Sequence, residues 1–455
     1  MKIKYLSLLA LAAFLSSCQL GPNFTGAPDQ GLPATWVNAL PPSSGDEDLT
    51  AWWQSFGDVQ LSALINRGFQ SSPDMVSAAL AIAKAEASLR STRSGLFPTG
   101  SVSFGGTNAG DFTTSTSHGS WSGALSASWT PDIWGGTRRE VEAAYASLGS
   151  TKAAANATRA ALASSIATTY FEWISAKESL RIAREQLEYQ ERTYRIVQQK
   201  AAVGMVANLE LAESRATIAS TRAQIPTYEA NIRSCENALA TLLGTTVDQV
   251  HLSMPSRTTY NRIPRVPTGL PSELLRRRPD IVQAEYNLHR ATANIGARVA
   301  DLFPSFSITG RANASSGTDF ANYFQGAAWS LGASASQTIF NRTALNENVN
   351  IAELERDSSA QAYRKTVLAA FAEVEDCLIA YARLTNQLPQ YQSAAAANKE
   401  AAELSLRRFN SGESDFLNVA ASERAWLSAE LNLISTRQQI RMTLARLCTA
   451  LGGGW

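Results

Sequence analysis

The chain has 455 residues, enough for two or three domains, and carries 40 lysines and arginines against 39 aspartates and glutamates. This near balance of charge provides no strongly basic face, so the sequence argues against nucleic acid as a partner. Beyond the first residues there is no apolar run of 18, which excludes helical membrane spans. Alanine, serine, glutamine and glutamate dominate long stretches that almost lack proline, which is unusual for a compact globular protein.

The first residues have the pattern of a targeting segment. Lys2 and Lys4 precede an apolar run over 5–14 that is too short to span a membrane as a helix. The sequence Leu15-Ser16-Ser17-Cys18 then resembles the lipobox that the bacterial lipoprotein signal peptidase cleaves. An ordinary secretory signal with an incidental cysteine is the alternative. We predict a signal peptide over 1–17 and a covalent diacylglyceryl and palmitoyl lipid on Cys18, with no other cofactor.

Gln19 follows the cysteine, where an aspartate is associated with retention in the inner membrane. The sequence therefore predicts a lipid anchor in the bacterial outer membrane, with the protein extending into the periplasm.

The other cysteines and the histidines form no recognisable site. Cys235, Cys377 and Cys448 lie in helix-like sequence without Cys-X-X-Cys spacing, which favours neither a disulfide framework nor a zinc site. The histidines are scattered over a loop, a linker and a helix (His118, His251, His289). No P-loop, GxSxG or strand-linked GxGxxG motif is present. We therefore expect that the protein is not an enzyme and that it binds no metal ion.

The chain is an internal duplication. Five landmarks of its first half recur in its second half at an offset of 206 to 208 positions, which chance matches would not maintain. They are Ser72-Pro73-Asp74 and Arg278-Pro279-Asp280, Leu96-Phe97-Pro98 and Leu302-Phe303-Pro304, Trp121-Ser122 and Trp329-Ser330, Val203-Gly204 and Ser411-Gly412, and Leu243-Gly244 and Leu451-Gly452. We predict an N-terminal lipidated extended segment over 18–60, a first repeat over 61–250, a linker over 251–271 and a second repeat over 272–455.

Each repeat begins with a helix, predicted over 61–95 and 272–301, that a Phe-Pro step ends. Two short strands follow, in which apolar residues alternate with serine, threonine and other small residues, as from Trp121 to Thr130. One apolar and one small polar face at period two is typical of a barrel wall between lipid and a wet lumen. Half of a soluble sandwich is the alternative.

A long helix and a shorter return helix complete each repeat. From about 137 to 203 there is no proline, and apolar residues recur every seven positions, which is typical of coiled-coil packing. About 65 helical residues make a rod of roughly 100 Å. Gly204 and Ser411-Gly412 predict the turns after which the chain returns to Leu243 and Leu451.

These elements require an assembly. Two strands per repeat give each chain four, too few to enclose a lumen, and open edges in a bilayer leave backbone groups unsatisfied. Two chains would give a barrel filled by side chains, whereas three would give twelve strands and a conduit. We therefore predict an α+β membrane protein that forms a homotrimer.

The sequence resembles the outer-membrane factor (TolC-like) family, and within it the lipidated OprM/NodT-like efflux channels. The resemblance covers nearly the whole mature chain. The stretches that carry it are Cys18-Gln19-Leu20-Gly21-Pro22, Trp52-Trp53 with Phe56 and Asp58, Asp132-Ile133-Trp134-Gly135, Leu275-Arg276-Arg277-Arg278-Pro279-Asp280-Ile281, Phe303-Pro304 and Leu451-Gly452-Gly453-Gly454-Trp455.

The resemblance implies a trimeric 12-stranded barrel continued by a long helical periplasmic barrel. It also implies partners: a periplasmic adaptor (membrane fusion protein), an inner-membrane transporter of the RND class, and outer-membrane lipid. The expected function is the exit duct of a tripartite efflux pump. A lipid-anchored coiled-coil scaffold of the envelope is the alternative.

The family closes its channel with polar and charged side chains near the hairpin ends, which are the turns that join the long helix of each repeat to its return helix. Carried over to this sequence, the gate candidates are Arg408, Phe409, Asp415, Leu417, Asn418, Arg424, Glu210 and Glu213. The candidates for adaptor docking are Val203, Gly204, Met205, Val206, Ser411, Gly412 and Glu413. The sequence departs from the family at Ala421, where an acidic residue is often found. Arg408 and Arg424 are therefore expected to pair with Glu210, Glu213 or Asp415 of a neighbouring hairpin.

Overall fold

The computed structural model describes residues 19–38, 49–111, 116–264, 271–316, 324 and 326–455. The predicted signal peptide and Cys18 lie outside these described residues. Contacts divide the chain into two units. Unit 1 consists of the described parts of Met1–Gln30, Leu80–Ala153 and Val282–Thr366, and unit 2 of those of Gly31–Ala79, Ala154–Ile281 and Val367–Trp455.

Unit 1 contains an antiparallel sheet of four strands in the order β1-β2-β3-β4. These are β1 (Thr99–Asp111), β2 (Thr116–Trp129), β3 (Ser305–Ser316) and β4 (Ala328–Ser336). Each sequence repeat supplies one hairpin, and β2 pairs with β3 to join the two hairpins.

The strand register sorts the side chains onto two chemically different faces. Val102 lies opposite Leu125, and Trp329 opposite Ala312, so that the large apolar residues share one face. This face is exposed in the single chain, with Phe104 and Trp329 more than 80% accessible. The other face carries hydroxyl pairs across neighbouring strands, which are Ser101–Ser126 at 2.8 Å, Thr107–Ser120 at 2.7 Å and Ser307–Ser334 at 2.8 Å. An apolar face of this size is stable only when lipid or protein covers it.

The helices follow the predicted order in both repeats. They are α1 (Val59–Ser71), α2 (Pro73–Ser94), α3 (Gly136–Ala202), α4 (Asn208–Leu242), α5 (Arg257–Asn261), α6 (Leu274–Arg277), α7 (Pro279–Ala300), α8 (Arg342–Ser411) and α9 (Phe416–Ala450). The two longest, α3 and α8, have 67 and 70 residues. Among the described residues, no helix has the length and apolar character needed to cross a membrane.

The single helices predicted over 61–95 and 272–301 are each interrupted. The first breaks at Ser72 and the second at Arg278, and both residues precede a proline and have extended backbone. The proline ring disfavours helical geometry in the residue before it, while the proline itself suits the first turn of the helix that follows.

The Arg278 side chain has a structural role. It donates hydrogen bonds to Asp280 at 2.8 Å, to Glu373 at 2.8 Å and to the carbonyl of Ala450 at 2.9 Å.

Unit 2 has an aromatic core beside the start of α1. Asp58 caps this helix by accepting hydrogen bonds from the amides of Gln60 and Leu61 at 2.9 and 3.1 Å. Its second carboxylate oxygen accepts a hydrogen bond from the hydroxyl of the fully buried Tyr170 at 2.9 Å. Tyr170 in turn stacks on Trp173, with ring centroids 6.1 Å apart. Asp58 therefore fixes α1 onto the long helix α3.

Candidate functional site

The two long helices end in the same kind of turn. Gly204 and Gly412 have φ of +73° and +83°, a left-handed conformation that only glycine adopts without strain. The amide of Met205 donates to the carbonyl of Lys200, and that of Glu413 to Arg408, both at 2.9 Å. This bonding closes a helix end by the Schellman motif, which the predicted glycine turns require. Among the described residues, no atom beyond the adjoining residues lies within 4 Å of a Cβ built at either glycine, so both turns are open to solvent in the single chain.

The two turns differ in surface chemistry. Val203 and Met205 flank the first glycine and are each 70% exposed, whereas Val206 turns partly inward. In the second turn Ser411 and Glu413 are exposed and polar. The structure thus places all the predicted docking residues at helix ends, with an exposed apolar pair on the first turn.

Beneath the turns lies an apolar cluster. It consists of Val197, Phe409, Phe416, Val419 and Ala420. Phe409 and Phe416 meet edge to face, with ring centroids 5.8 Å apart. The gate candidate Phe409 is therefore a packing residue within the chain, 3% exposed, while the candidate Leu417 is 60% exposed.

Lys200, near the end of α3, contacts the C-terminal end of α8 and so joins the helices of the first repeat to those of the second. It is not among the site residues predicted from the sequence. Its ammonium donates to the carbonyl oxygens of Phe409 and of Asn410, the latter at 3.0 Å, and lies 4.6 Å from the centre of the Phe409 ring. These carbonyls belong to the C-terminal end of α8, where a cation is stabilised by the helix dipole. A lysine in the last turn of α3 was the only available sequence signal.

Within one chain, Arg408 does not pair with the predicted acids. It lies beside Glu413 of its own turn, at 3.8 Å, and both side chains are about two-thirds exposed. The Schellman turn explains this contact because it brings residue 413 back over the last turn of α8. Such a surface pair contributes about 0–1 kcal/mol. Asp415 precedes α9 without capping it, and Asn418 donates to the Ser414 hydroxyl at 3.1 Å.

The candidates Glu213 and Arg424 line one groove of about 620 Å³, together with the buried Gln190. Glu210 lies in the first turn of α4, where a carboxylate complements the helix dipole. One carboxylate oxygen of Glu210 is buried without a hydrogen-bond partner among the described residues. The predicted pairing of Arg424 with an acid of a neighbouring hairpin stays a prediction.

A second cluster in unit 1 holds the segment that follows Cys18. Arg139 is 1% exposed, and its guanidinium donates to the carbonyls of Leu20 and Gly21 at 2.9 and 3.1 Å and to the Asn23 side chain at 2.7 Å. Phe24 stacks on His289 with ring centroids 4.5 Å apart. The residues next to the predicted lipid therefore occupy a fixed position on α3 and α7.

Glu142 completes this cluster. Its carboxylate accepts hydrogen bonds from Arg139 at 2.7 Å and Gln19 at 3.2 Å, and it contacts the His289 ring at 3.0 Å. Partial burial opposes ionisation of Glu142, but the bonds from His289 and Arg139 prevail and hold its pKa below the ordinary value. The carboxylate therefore stays charged and keeps the buried Arg139 paired.

A sequence model described as outer membrane efflux protein matches residues 64–245 and 270–453, one match in each repeat. The chain belongs to the outer membrane efflux protein family.

Relatives of this efflux protein extend over almost its whole length. The pyoverdine export outer membrane protein OpmQ of Pseudomonas aeruginosa is 31% identical, with 100% of this chain and 98% of OpmQ covered. The cation efflux system protein CusC of Escherichia coli is 30% identical, with 98% and 97% covered. The open state of the outer membrane channel MtrE of Neisseria gonorrhoeae has a TM-score of 0.85 at 27% identity, with 96% and 98% covered.

These similarities confirm the predicted family, fold class, location and function of the efflux protein. It is an α+β membrane protein of two repeats with four strands per chain, of the kind that forms trimeric outer-membrane channels. It is located in the outer membrane and is the exit duct of a tripartite efflux pump. The gate, docking and lipidation residues, and the domain boundaries, stay predictions.

Proposed function

We propose that three copies of this chain receive substrate at their hairpin ends from a periplasmic adaptor and an inner-membrane transporter of the RND class, and pass it to the outside unchanged. The supporting observation is the pair of exposed apolar side chains at the first turn, Val203 and Met205. A soluble loop rarely keeps such residues exposed unless a partner covers them. The hydroxyl-bearing face of the sheet would line the lumen and the apolar face would meet lipid.

We expect the double substitution Val203→Asp/Met205→Asp to abolish most efflux-dependent resistance without lowering the amount of trimer. Two carboxylates would have to be desolvated to restore the adaptor contact, which is costly. Neither side chain is buried, so folding is unaffected. Resistance and trimer level are measured in cells that carry the intact pump.

Ser411→Asp/Glu413→Asp at the second turn retains a polar surface and shows by comparison whether that turn also contributes to docking. Normal resistance in the Val203→Asp/Met205→Asp variant would contradict docking at the first turn. Single-channel conductance of the purified wild type distinguishes the duct from an envelope scaffold, which conducts no ions.

The lipid on Cys18 is part of the same proposal. It is supported by the lipobox-like sequence and by the cluster around Arg139, which fixes Leu20–Asn23 at a defined place. The anchor and the barrel would then enter the membrane together. The diacylglyceryl group and the palmitoyl chain together suffice for stable anchoring, and the barrel adds its own insertion into the bilayer.

Cys18→Ser is expected to stop signal-peptide processing and to abolish palmitate labelling, while trimers still form. The reason is that only a thiol at the cleavage site accepts the diacylglyceryl group. Labelling and the mass of the mature N-terminus are the measurements, and Cys235→Ser is the control that keeps the label. A mature N-terminus at any residue other than Cys18 would contradict the lipoprotein assignment.

The substrate is proposed to be selected by the transporter and not by the duct. OpmQ is named for pyoverdine and CusC for cations, and both are about equally similar to this chain. Similarity to this chain therefore does not single out one class of substrate, which supports selection by the transporter. Closure would rest on rings of Arg408 and Arg424 at the hairpin ends, each paired with a carboxylate of Glu210, Glu213, Glu413 or Asp415.

A further inference from the structure

A buried carboxyl group joins α9 to α3 in unit 2. Glu423 on α9 is 1% exposed, and its carboxylate lies 3.1 Å from the Thr193 hydroxyl of α3. The side chain of Gln186, also on α3, donates to the backbone carbonyl of Glu423 at 3.3 Å. Within the described part of the chain, no lysine, arginine or histidine nitrogen forms an ion pair with Glu423. A lone buried carboxylate is costly, so its protonation state matters.

The hydrogen-bond geometry favours the protonated acid. The Thr193 hydroxyl is 3.1 Å from both the Glu423 carboxylate and the Tyr189 carbonyl, yet it has one proton to donate. An ionised Glu423 is only an acceptor, so Thr193 could satisfy one of these two groups but not both. A protonated Glu423 donates to Thr193, and Thr193 then donates to Tyr189. Both contacts are made only when the carboxyl carries its proton.

The titratable and charged groups around Glu423 come from three helices. On α3, Tyr189 faces the site, and burial together with the Glu423 and Glu403 charges raises its pKa to about 12. From α8, Glu403 and Arg407 act on Tyr189 with opposite sign, and Lys399 lies 5.3 Å from the centre of the Trp426 ring. On α9 itself the neighbour is Arg424. Burial raises the pKa of Glu423 to about 7, against the opposing effects of the Thr193 hydrogen bond and Arg424.

We propose that Glu423 is a proton-operated latch that holds α9 on α3 when protonated and releases it when ionised. The proposal rests on the proposed function, in which the hairpin ends close the duct. An ionised Glu423 needs water, which reaches it only if the two helices move apart. Glu423 thus acts by positioning α9 and not by contacting the substrate.

The sign of the pH dependence follows from the direction of the shift. The packed arrangement binds the proton more tightly than the separated one does, where the pKa returns to its ordinary value near 4.5. The two helices therefore pack most firmly when the pH is below the ordinary pKa of Glu423, and the packing weakens as the pH rises through about 7. One pKa unit corresponds to a tenfold change, so the equilibrium between packed and separated helices shifts on the order of a hundredfold.

The test is the open probability of purified trimers in planar bilayers from pH 5 to pH 8 at constant ionic strength. Wild type is expected to open more often as the pH rises. Glu423→Gln, whose amide donates to Thr193 at every pH, is expected to stay mostly closed throughout. The matched control Glu400→Gln, at an exposed position on α8, keeps the wild-type profile.

A wild-type channel that conducts independently of pH, or a Glu423→Gln profile identical to wild type, would overturn the latch and leave the duct intact. A folded trimer without conductance at any pH would overturn the duct, and the latch with it. If Glu423→Gln does not assemble, Thr193→Val and Thr193→Ser decide the matter. Valine is expected to raise opening at pH 5 and serine to restore closure, and equal opening of both would exclude the hydrogen-bond chain.

Discussion

Replacement of Arg139 by methionine is expected to release the segment Leu20–Phe24 from unit 1. The methionine fills much of the space of the arginine stem but donates no hydrogen bond. Two backbone carbonyls, the Asn23 side chain and the Glu142 carboxylate would lose their buried donor. Removal of one partner from a buried charged network costs about 3–5 kcal/mol.

The measurement is hydrogen exchange of the Leu20 amide, which donates to the Trp134 carbonyl at 3.3 Å, in detergent-solubilised trimer. Its protection is expected to fall by two orders of magnitude or more. Arg298→Met is the matched control, because its pair with Asp301 is more than half exposed and lies in the same unit. Unchanged protection in Arg139→Met would show that the stacking of Phe24 on His289 holds the segment by itself.

The second large effect is expected from Asp58→Ala in unit 2. The substitution removes the cap of α1, worth about 1 kcal/mol, and leaves the buried Tyr170 hydroxyl without its acceptor, worth about 1–3 kcal/mol. We expect a loss of about 2–4 kcal/mol in the free energy of unfolding. Unfolding by denaturant, followed by circular dichroism of the solubilised protein, measures it.

Tyr170→Phe separates the two contributions, since it removes the hydroxyl and retains the cap. Asp74→Ala is the control, because Asp74 lies exposed in the first turn of α2. This substitution is expected to lower the free energy of unfolding by less than about 1 kcal/mol. If Asp58→Ala and Asp74→Ala had equal effects, the contact between Asp58 and Tyr170 would not stabilise the fold.

The elements that repeat were predictable from the sequence. Strand alternation around Trp121 and Trp329 and the glycines at 204 and 412 are local patterns, and each determines its own geometry. The breaks at Ser72 and Arg278 are also local, and the following prolines were a sufficient signal. The uninterrupted helices predicted over 61–95 and 272–301 are wrong at these two residues.

The buried charged residues were not predictable in this way. Arg138 and Arg139 are neighbours in sequence, yet one side chain is 35% exposed and the other 2%, because a segment more than a hundred residues away covers only the second. In the same way, Glu423 is buried whereas its neighbour Arg424 is exposed. Helical periodicity indicates which residues share a face, but not which face another helix will cover. The contacts of Lys200 with α8 likewise depend on a partner that only the folded chain supplies.

The even number of strands in the sheet has a consequence for how the sheets of three chains close into a barrel. Successive strands alternate in direction, so β1 and β4 run in opposite directions, and β4 of one chain can join β1 of the next by a head-to-tail antiparallel contact. Two chains joined in this way still have two unpaired edges, as one chain has. The third chain forms two contacts at once and leaves none. Closure is therefore cooperative, and pairs of chains are not expected to accumulate.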